Sequence, residues 1–184
     1  MPGRAPGAAR ARTGPPRGVP PGPVNDEDSI RRAAELWQEG CRLQMSGQLD
    51  RAIAAYKRSI EIHPTAEAHT YLGWTYSFQG RIDDATDECM RAIEIDPEFG
   101  NPYNDIGVYL MQRDHLDEAV PWFEKAKLAK RYEPRQFPYM NLGRIHLRKG
   151  QWWEALREFE GAVRAAPTDV EARKALHTLR GRLN

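Results

Sequence analysis

The side chains that most often perform chemistry, histidine and cysteine, are few in this sequence and widely spaced. Its 184 residues contain five histidines and two cysteines, and no two histidines lie three or four residues apart. The HExxH and CxxC patterns of zinc and redox sites are missing. A Gly-rich phosphate loop, a dinucleotide fingerprint and a candidate Ser-His-Asp set are missing too. The sequence therefore predicts no metal, no cofactor and no catalytic residues.

Four carboxylates lie close together in the middle of the chain. They are Asp83, Asp84, Asp87 and Glu88. Because acidic side chains are stabilised and solvated at the start of a helix, we interpret this group as a helix N-terminus. Cys89 is predicted to be a buried apolar side chain, and Cys41 an unreactive one. We therefore expect a protein that is not an enzyme and has no small-molecule substrate.

Charge is divided unevenly along the chain. The total of 27 Lys and Arg against 26 Asp and Glu argues against a dedicated nucleic-acid binder. Residues 1–25 contain seven prolines, five glycines and four arginines but no acid, so they carry +4 and the remainder carries −3. We predict that this segment is a disordered tail, with an import signal or a membrane or nucleic-acid arm as weaker alternatives. No apolar run is long enough to span a membrane, and we expect a cytoplasmic protein.

Beyond the tail, the chain repeats itself about every 34 residues, as helical arrays do. The matching alanines are Ala52, Ala85, Ala119 and Ala155, and the matching glycines upstream are Gly40, Gly73, Gly107 and Gly143. Both series have spacings of 33, 34 and 36. A period of this size indicates a solenoid in which each unit buries its apolar face only against its neighbours.

Each unit has the pattern of two helices joined by a tight turn. Gly47, Gly80 and Gly150 are placed to end a first helix in left-handed conformation, and a proline follows the second helix of three units. The prediction is an all-α solenoid of about four helical hairpins over residues 29–168. The units are 33–65, 66–99, 100–135 and 136–168, and residues 169–184 form a capping helix.

The second and fourth units carry the fullest motif. It reads Leu72-Gly73, Tyr76, Ala85, Ala92 and Pro97 in one, and Leu142-Gly143, Ala155, Phe159, Ala162 and Pro167 in the other. This pattern resembles the tetratricopeptide repeat family. Four positions depart from it: Glu39, Ser59, Cys89 and Arg131. The resemblance implies a right-handed solenoid that acts as a scaffold or adaptor for a protein or peptide partner.

The resemblance also implies a concave groove lined by the first helices of successive units. The residues at the groove positions are Trp37, Cys41, Gln44, Thr70, Trp74, Ser77, Asn104, Val108, Met111, Phe137, Met140, Arg144 and Arg148. Trp74, Met111 and Met140 would hold apolar side chains of the partner. Asn104 would bond its backbone, and the two arginines would pair with an acid. Packing between units is an open alternative for Trp37 and Phe137.

Family members that clamp the carboxylate tails of heat-shock chaperones use Lys and Asn on the opening helix. Trp37 and Cys41 occupy those positions here, so the sequence disfavours such a partner.

Other functions stay open at this point. A self-assembling oligomer is one, and an RNA-binding helical repeat is a weaker one because the array is slightly acidic. An envelope repeat lipoprotein is disfavoured, because no apolar segment leads to a cysteine near residue 20. Trp152 is predicted to lie in the core. Trp153 is predicted to face water, where it either marks a contact site or packs against a tail or cap. The long join 127–138 is a second recognition loop or a spacer, with Arg131, Tyr132 and Arg135 projecting from it.

Overall fold

A computed structural model describes residues 26–183, and the predicted disordered tail lies outside them. Within this range the chain forms helices and no strand. The helices are α1 (Asp26–Met45), α2 (Leu49–Ile62), α3 (Ala66–Phe78), α4 (Ile82–Ile95), α5 (Asn101–Gln112), α6 (Leu116–Leu128), α7 (Gln136–Arg148), α8 (Trp152–Ala165) and α9 (Val170–Leu183). None of these helices combines the length and the apolar composition needed to cross a bilayer. The all-α repeat fold predicted from the sequence is confirmed.

The helices pack in consecutive pairs, α1 with α2, α3 with α4, α5 with α6 and α7 with α8, and α9 lies against α8. In the first, third and fourth pairs, close approach depends on a glycine facing an aromatic ring, whereas in the second pair Gly73 faces Cys89. A Cβ atom on Gly40 would lie 2.5 Å from the Tyr56 ring, and one on Gly107 would lie 2.7 Å from the Phe123 ring. The repeated glycine and the aromatic residue of the motif therefore form one contact in space.

The turns inside the hairpins confirm the predicted role of three glycines. Gly47, Gly80 and Gly150 have φ values of 75°, 74° and 71°, which a residue with a Cβ rarely adopts. In the third hairpin Asp114 takes this position with φ of 65°. Aspartate tolerates the left-handed region better than most residues, so the hairpin closes without glycine.

Two predictions about aromatic residues are wrong. Trp152 is 42% exposed rather than buried, because its place in the repeat is not a fully buried one: the leucine or isoleucine at the same place in the other units is only partly buried. Tyr132 does not project from the α6–α7 join but is only 4% exposed. It packs against Gly100, where an added Cβ would lie 2.5 Å from the Tyr132 side chain.

Candidate functional site

A large cleft lies between the first helices of the first two hairpins. Its volume is about 790 Å³. We call it the aromatic cleft, and its walls are Trp37, Gln38, Cys41, Arg42, Gln44 and Met45 from α1 and Tyr71, Trp74 and Phe78 from α3. The helical period places these residues on facing surfaces, because positions three and four apart share a side of a helix.

The walls of the aromatic cleft are a continuous series of rings. The Trp37 and Tyr71 centroids are 5.4 Å apart, edge to face, and the Tyr71 and Trp74 centroids are 5.9 Å apart. Phe78 continues the series 5.4 Å from Trp74. Trp74 is 45% exposed, Phe78 56% and the neighbouring Met45 91%. Because exposed apolar surface of this extent is costly in water, such patches usually mark a binding site.

The polar groups of the cleft do not supply a nucleophile. Burial raises the pKa of the Cys41 thiol, which keeps it protonated and unreactive. The Tyr56 hydroxyl donates to Gln44 Oε1 at 2.8 Å, and burial raises the pKa of this phenol as well. The indole N–H of Trp37 is buried and has no partner among residues 26–183. None of these groups is activated for covalent chemistry.

On its other side, the α3 wall borders a smaller cavity of about 270 Å³. We call it the acidic pocket, and it is lined by Thr70, Tyr71, Trp74, Asn101, Asn104, Asp105, Tyr132, Glu133, Pro134 and Phe137. Tyr71 and Trp74 belong to both cavities, so they form the wall between them. The two cavities are therefore adjacent along one surface made by α1, α3 and α5.

Asp105 is the unusual group of the acidic pocket. Burial raises the pKa of its carboxyl to about 7, although an Asn104 amide N–H directed at Asp105 Oδ1 from 3.5 Å acts in the opposite direction. No Lys or Arg within residues 26–183 forms an ion pair with it. Tyr132 lines the same pocket, and its buried hydroxyl has no hydrogen-bond partner in the described part of the chain.

Buried amides connect α5 to α7 next to this pocket. Asn141 donates its side-chain N–H to Asn104 Oδ1 at 3.1 Å, and Arg144 donates to Asn141 Oδ1 at 2.9 Å. The side-chain oxygen of Asn104 therefore already accepts a hydrogen bond from Asn141, and the side-chain nitrogen of Asn104 points toward Asp105. The expected backbone contact of Asn104 with a partner would have to compete with these bonds.

The structure distributes the predicted groove residues over several environments. Trp37, Gln44 and Trp74 line the aromatic cleft, whereas Thr70, Trp74, Asn104 and Phe137 line the acidic pocket. Met140 and Arg144 line a third cavity, of about 300 Å³, beside α9. Thr70 and Met140 are buried.

The remaining groove residues make contacts with other residues of the same chain. Val108 and Met111 pack against the cluster that contains Phe123 and Leu142. Ser77 donates to the Trp74 carbonyl at 2.8 Å, and Arg148 pairs with Asp114 at a hairpin turn.

Residues that could hold a metal are not grouped in the described part of the chain, where no three His, Cys, Asp or Glu side chains come together. The closest arrangement is His69 with Glu88, whose side chains meet at 2.6 Å inside the second hairpin. Both are buried, and Arg91 bonds the other Glu88 oxygen. This group joins α3 to α4 and lies apart from both cavities.

A family model described as tetratricopeptide repeat matches residues 38–98, which span most of the first two hairpins. Residues 38–98 are therefore tetratricopeptide repeat sequence. The hairpin geometry extends the same motif to the third and fourth pairs.

Among curated tetratricopeptide proteins, the chain is similar to the small glutamine-rich tetratricopeptide repeat-containing protein 2 of Mycosarcoma maydis. The two are 31% identical over 102 residues, which is 55% of this chain and 29% of that protein. The chain spans less than a third of the length of the curated relatives it matches.

Solved tetratricopeptide structures share the fold at low sequence identity. PilF of Pseudomonas aeruginosa superimposes with a TM-score of 0.76 at 21% identity, over 84% of this chain and 70% of that one. YrrB, described as a tetratricopeptide protein with an unusual peptide-binding site, gives a TM-score of 0.60 at 20% identity, over 85% and 80% of the two chains.

One departure from the tetratricopeptide motif has a structural explanation. Arg131 stands where proline is expected, and it pairs with both Glu67 and Asp96. Its backbone N–H donates to the Glu98 carbonyl at 2.9 Å. The substitution thus ties the α6–α7 join to the second hairpin and brings the next residue, Tyr132, into the acidic pocket.

The groove positions predicted from the sequence omit one position altogether. Gln38, Tyr71, Asp105 and Asn141 repeat with the spacing of the alanine series, one residue beyond Trp37, Thr70, Asn104 and Met140. Three of the four line the two cavities, and Asn141 bonds Asn104. The repeat register could have identified the position, since it holds a polar or aromatic side chain in every unit.

Proposed function

We propose that this tetratricopeptide chain is a non-enzymatic scaffold or adaptor that binds a peptide segment of a protein partner on its concave side. The binding surface consists of the aromatic cleft and the groove residues that continue from it. The observation that carries the proposal is the series Trp37, Tyr71, Trp74 and Phe78 in a cleft of about 790 Å³. Trp74 and Phe78 present large ring surfaces to solvent, and the partly buried Trp37 and Tyr71 continue the series against the core. Aromatic anchors in such clefts supply most of the energy of many peptide interfaces.

The charge of the surface and the likeness to known structures add support. Asp105 and Glu133 line the surface next to the cleft, which disfavours an RNA ligand. YrrB, which has the same fold, is described as having a peptide-binding site. A cytoplasmic location is part of the proposal, and so is the absence of a heat-shock chaperone clamp at Trp37 and Cys41.

A random dodecamer peptide library displayed on phage tests the proposal directly. Peptides selected on the full chain are measured by fluorescence anisotropy against the wild type, Trp74→Ala and Trp153→Ala. Both tryptophans are exposed, but Trp153 is 63% exposed on α8 and lies outside the cleft, so it is the matched control. We expect Trp74→Ala to weaken binding at least tenfold, about 1.4 kcal/mol, and Trp153→Ala to leave it unchanged.

Circular dichroism at increasing temperature verifies that both variants are folded. Failure to select any peptide, or equal binding by the wild type and a folded Trp74→Ala variant, would contradict the proposal.

Self-assembly is the second candidate, and the exposed pair Trp152 and Trp153 favours it. The two indoles extend from the start of α8, on a different element from the aromatic cleft. Sedimentation at two concentrations distinguishes the functions. A dimer that dissociates in Trp153→Ala would support self-assembly, and a monomer at both concentrations would remove it.

A further inference from the structure

The acidic pocket has a charge imbalance that the proposed function does not explain. Its charged lining groups are Asp105 and Glu133, and no Lys, Arg or His of the described chain lines it. The exposed Glu133 pairs with Arg135 at 3.7 Å, so Asp105 is the carboxyl group of the pocket that has no cation among residues 26–183. Elsewhere the exposed carboxylates of the array commonly have a cation, such as Asp114 with Arg148 and Asp117 with Lys149. A partly buried carboxylate without a cation is costly. This placement therefore indicates that the cation comes from outside the described chain.

A second, independent group points to the same ligand. Tyr132 lines the acidic pocket, its side chain is only 4% exposed, and its hydroxyl has no hydrogen-bond partner among residues 26–183. Burial raises the pKa of this phenol and the charge of Asp105 adds to the rise, so the two side chains are close enough to interact. A buried hydroxyl in this state loses its hydration without compensation. An incoming N–H donor would meet the Asp105 carboxylate and the Tyr132 oxygen in the same cavity.

The walls suit the rest of a long cationic side chain. Tyr71, Trp74 and Phe137 supply ring surfaces, against which methylene groups pack and a guanidinium or ammonium group is attracted. The pocket, about 270 Å³, is far smaller than the aromatic cleft of about 790 Å³. It therefore matches one side chain rather than a folded segment.

We propose that the acidic pocket binds a lysine or arginine side chain of the partner peptide, with Asp105 as its counter-ion. This inference rests on the proposed function, since it concerns the same peptide. Tyr71 and Trp74 form the wall between the two cavities, so the basic residue lies close along the peptide to a large apolar residue seated in the aromatic cleft. The partner segment is recognised by this apolar–basic combination.

The test repeats the dodecamer selection on the full chain, on Asp105→Asn and on Asp87→Asn. Asp87 is an exposed acid on α4 outside both cavities, so it controls for the loss of one negative charge. We expect Lys or Arg at a constant distance from a large apolar residue in peptides selected on the wild type and on Asp87→Asn. The basic residue should no longer be enriched on Asp105→Asn.

A selected peptide then provides a measurement that does not depend on the library. Replacing its basic residue with norleucine should weaken binding to the wild type at least tenfold and should change binding to Asp105→Asn less than twofold. This double-mutant comparison assigns the interaction to the Asp105 carboxylate. Circular dichroism verifies that Asp105→Asn is folded.

The outcomes separate the inference from the proposed function. The selected peptides could be apolar, carry no basic residue and bind Trp74→Ala more weakly than the wild type. This result would overturn the inference and leave the proposed function standing. Basic residues that persist on Asp105→Asn would also overturn it, as would enrichment of acidic residues. If no peptide is selected on any chain, both proposals fall.

Discussion

His69 Nδ1 lies 2.6 Å from Glu88 Oε2, and both side chains are buried between α3 and α4. The bond joins the two helices of the second hairpin at the level where its motif carries cysteine instead of an aromatic residue. The neighbouring Cys89 is also buried, and Gly73 lies against it. A polar pair thus supports the hairpin that has the smallest side chain at its centre.

Replacing Glu88 with alanine should destabilise the protein. The change leaves the buried His69 ring without its partner, and an unsatisfied buried polar group costs about 1–3 kcal/mol. We expect the free energy of unfolding in urea to fall by about 2 kcal/mol. The control is Asp87→Ala, one residue earlier and exposed, which should stay within about 0.5 kcal/mol of the wild type. Equal stability of the two variants would mean that the His69–Glu88 bond contributes nothing.

Adding one methyl group at Gly107 should have a larger effect than adding it elsewhere on a helix. A Cβ there would lie 2.7 Å from the Phe123 ring, so α5 and α6 would have to separate. Overpacking of this kind costs about 1–3 kcal/mol. Gly181→Ala on α9 is the matched control, because nothing lies within 4 Å of its added Cβ.

Thermal unfolding of both glycine variants gives the comparison. Gly107→Ala should unfold at a lower temperature than the wild type. Gly181→Ala should unfold at the same temperature or slightly higher, since alanine favours helix by about 1 kcal/mol over glycine. A Gly107→Ala variant as stable as the wild type would show that the glycine is not required for close helix contact.

The sequence was sufficient to predict the fold because repeat proteins reuse one local interaction. Each hairpin depends on a small residue that faces a larger one at a constant separation along the chain. Because this contact recurs in every hairpin, the residues that make it recur periodically in the sequence. The glycine that faces an aromatic ring, as Gly40 faces Tyr56, recurs along the sequence at a nearly constant spacing. Helix number and pairing follow from it.

The acidic pocket could not be predicted in the same way, because its groups come from non-periodic parts of the chain. Tyr132 and Glu133 belong to the α6–α7 join, whose path depends on Arg131 reaching back to Glu67 and Asp96. Asp105 occupies a repeating position, but neither its missing cation nor its burial can be read from spacing. Tertiary contacts of single residues determine this part of the surface.

Arg131→Ala should loosen the join without unfolding the array. The variant loses two ion pairs and the contact of the guanidinium with the Phe99 ring, 5.1 Å away, while its backbone bonds remain. Partly exposed ion pairs contribute about 0.2–1 kcal/mol each, so the loss should be about 1 kcal/mol. Amide hydrogen exchange should become faster at Gly100 and Tyr132 and stay unchanged in α8.

The control for Arg131 is Arg157→Ala, whose exposed ion pair with Glu154 lies within a single helix. It should leave exchange at Gly100 as in the wild type. Salt at about 1 M should reduce the difference between Arg131→Ala and the wild type, because ion pairs are screened. Unchanged exchange in Arg131→Ala would mean that packing of Tyr132 alone holds the join.

The stability of the protein should fall as the pH rises through the range in which Asp105 ionises. Burial raises the pKa of this carboxyl from the usual 3.8 to about 7 in the folded chain. Between pH 4 and 7 the folded state therefore holds a proton that the unfolded state has released, and unfolding becomes easier as pH increases. The other ionisable groups that influence or face the Asp105 carboxyl are Tyr71, Cys89, Tyr109, Tyr132 and Glu133.

Asp105→Asn isolates this effect, since asparagine does not ionise. At pH 4 the variant and the wild type should have similar free energies of unfolding, whereas at pH 8 the variant should be more stable, by at most about 4 kcal/mol. Urea unfolding at pH 4, 6 and 8 measures the difference, and Asp87→Asn is the control for the loss of one exposed carboxylate. A constant difference between Asp105→Asn and the wild type would mean that Asp105 ionises as an ordinary carboxyl. Asp105→Asn should therefore both stabilise the protein and remove binding of a basic side chain. This combination is expected of a carboxylate that serves a ligand, because the free energy that the carboxylate costs in folding is recovered when the cation binds.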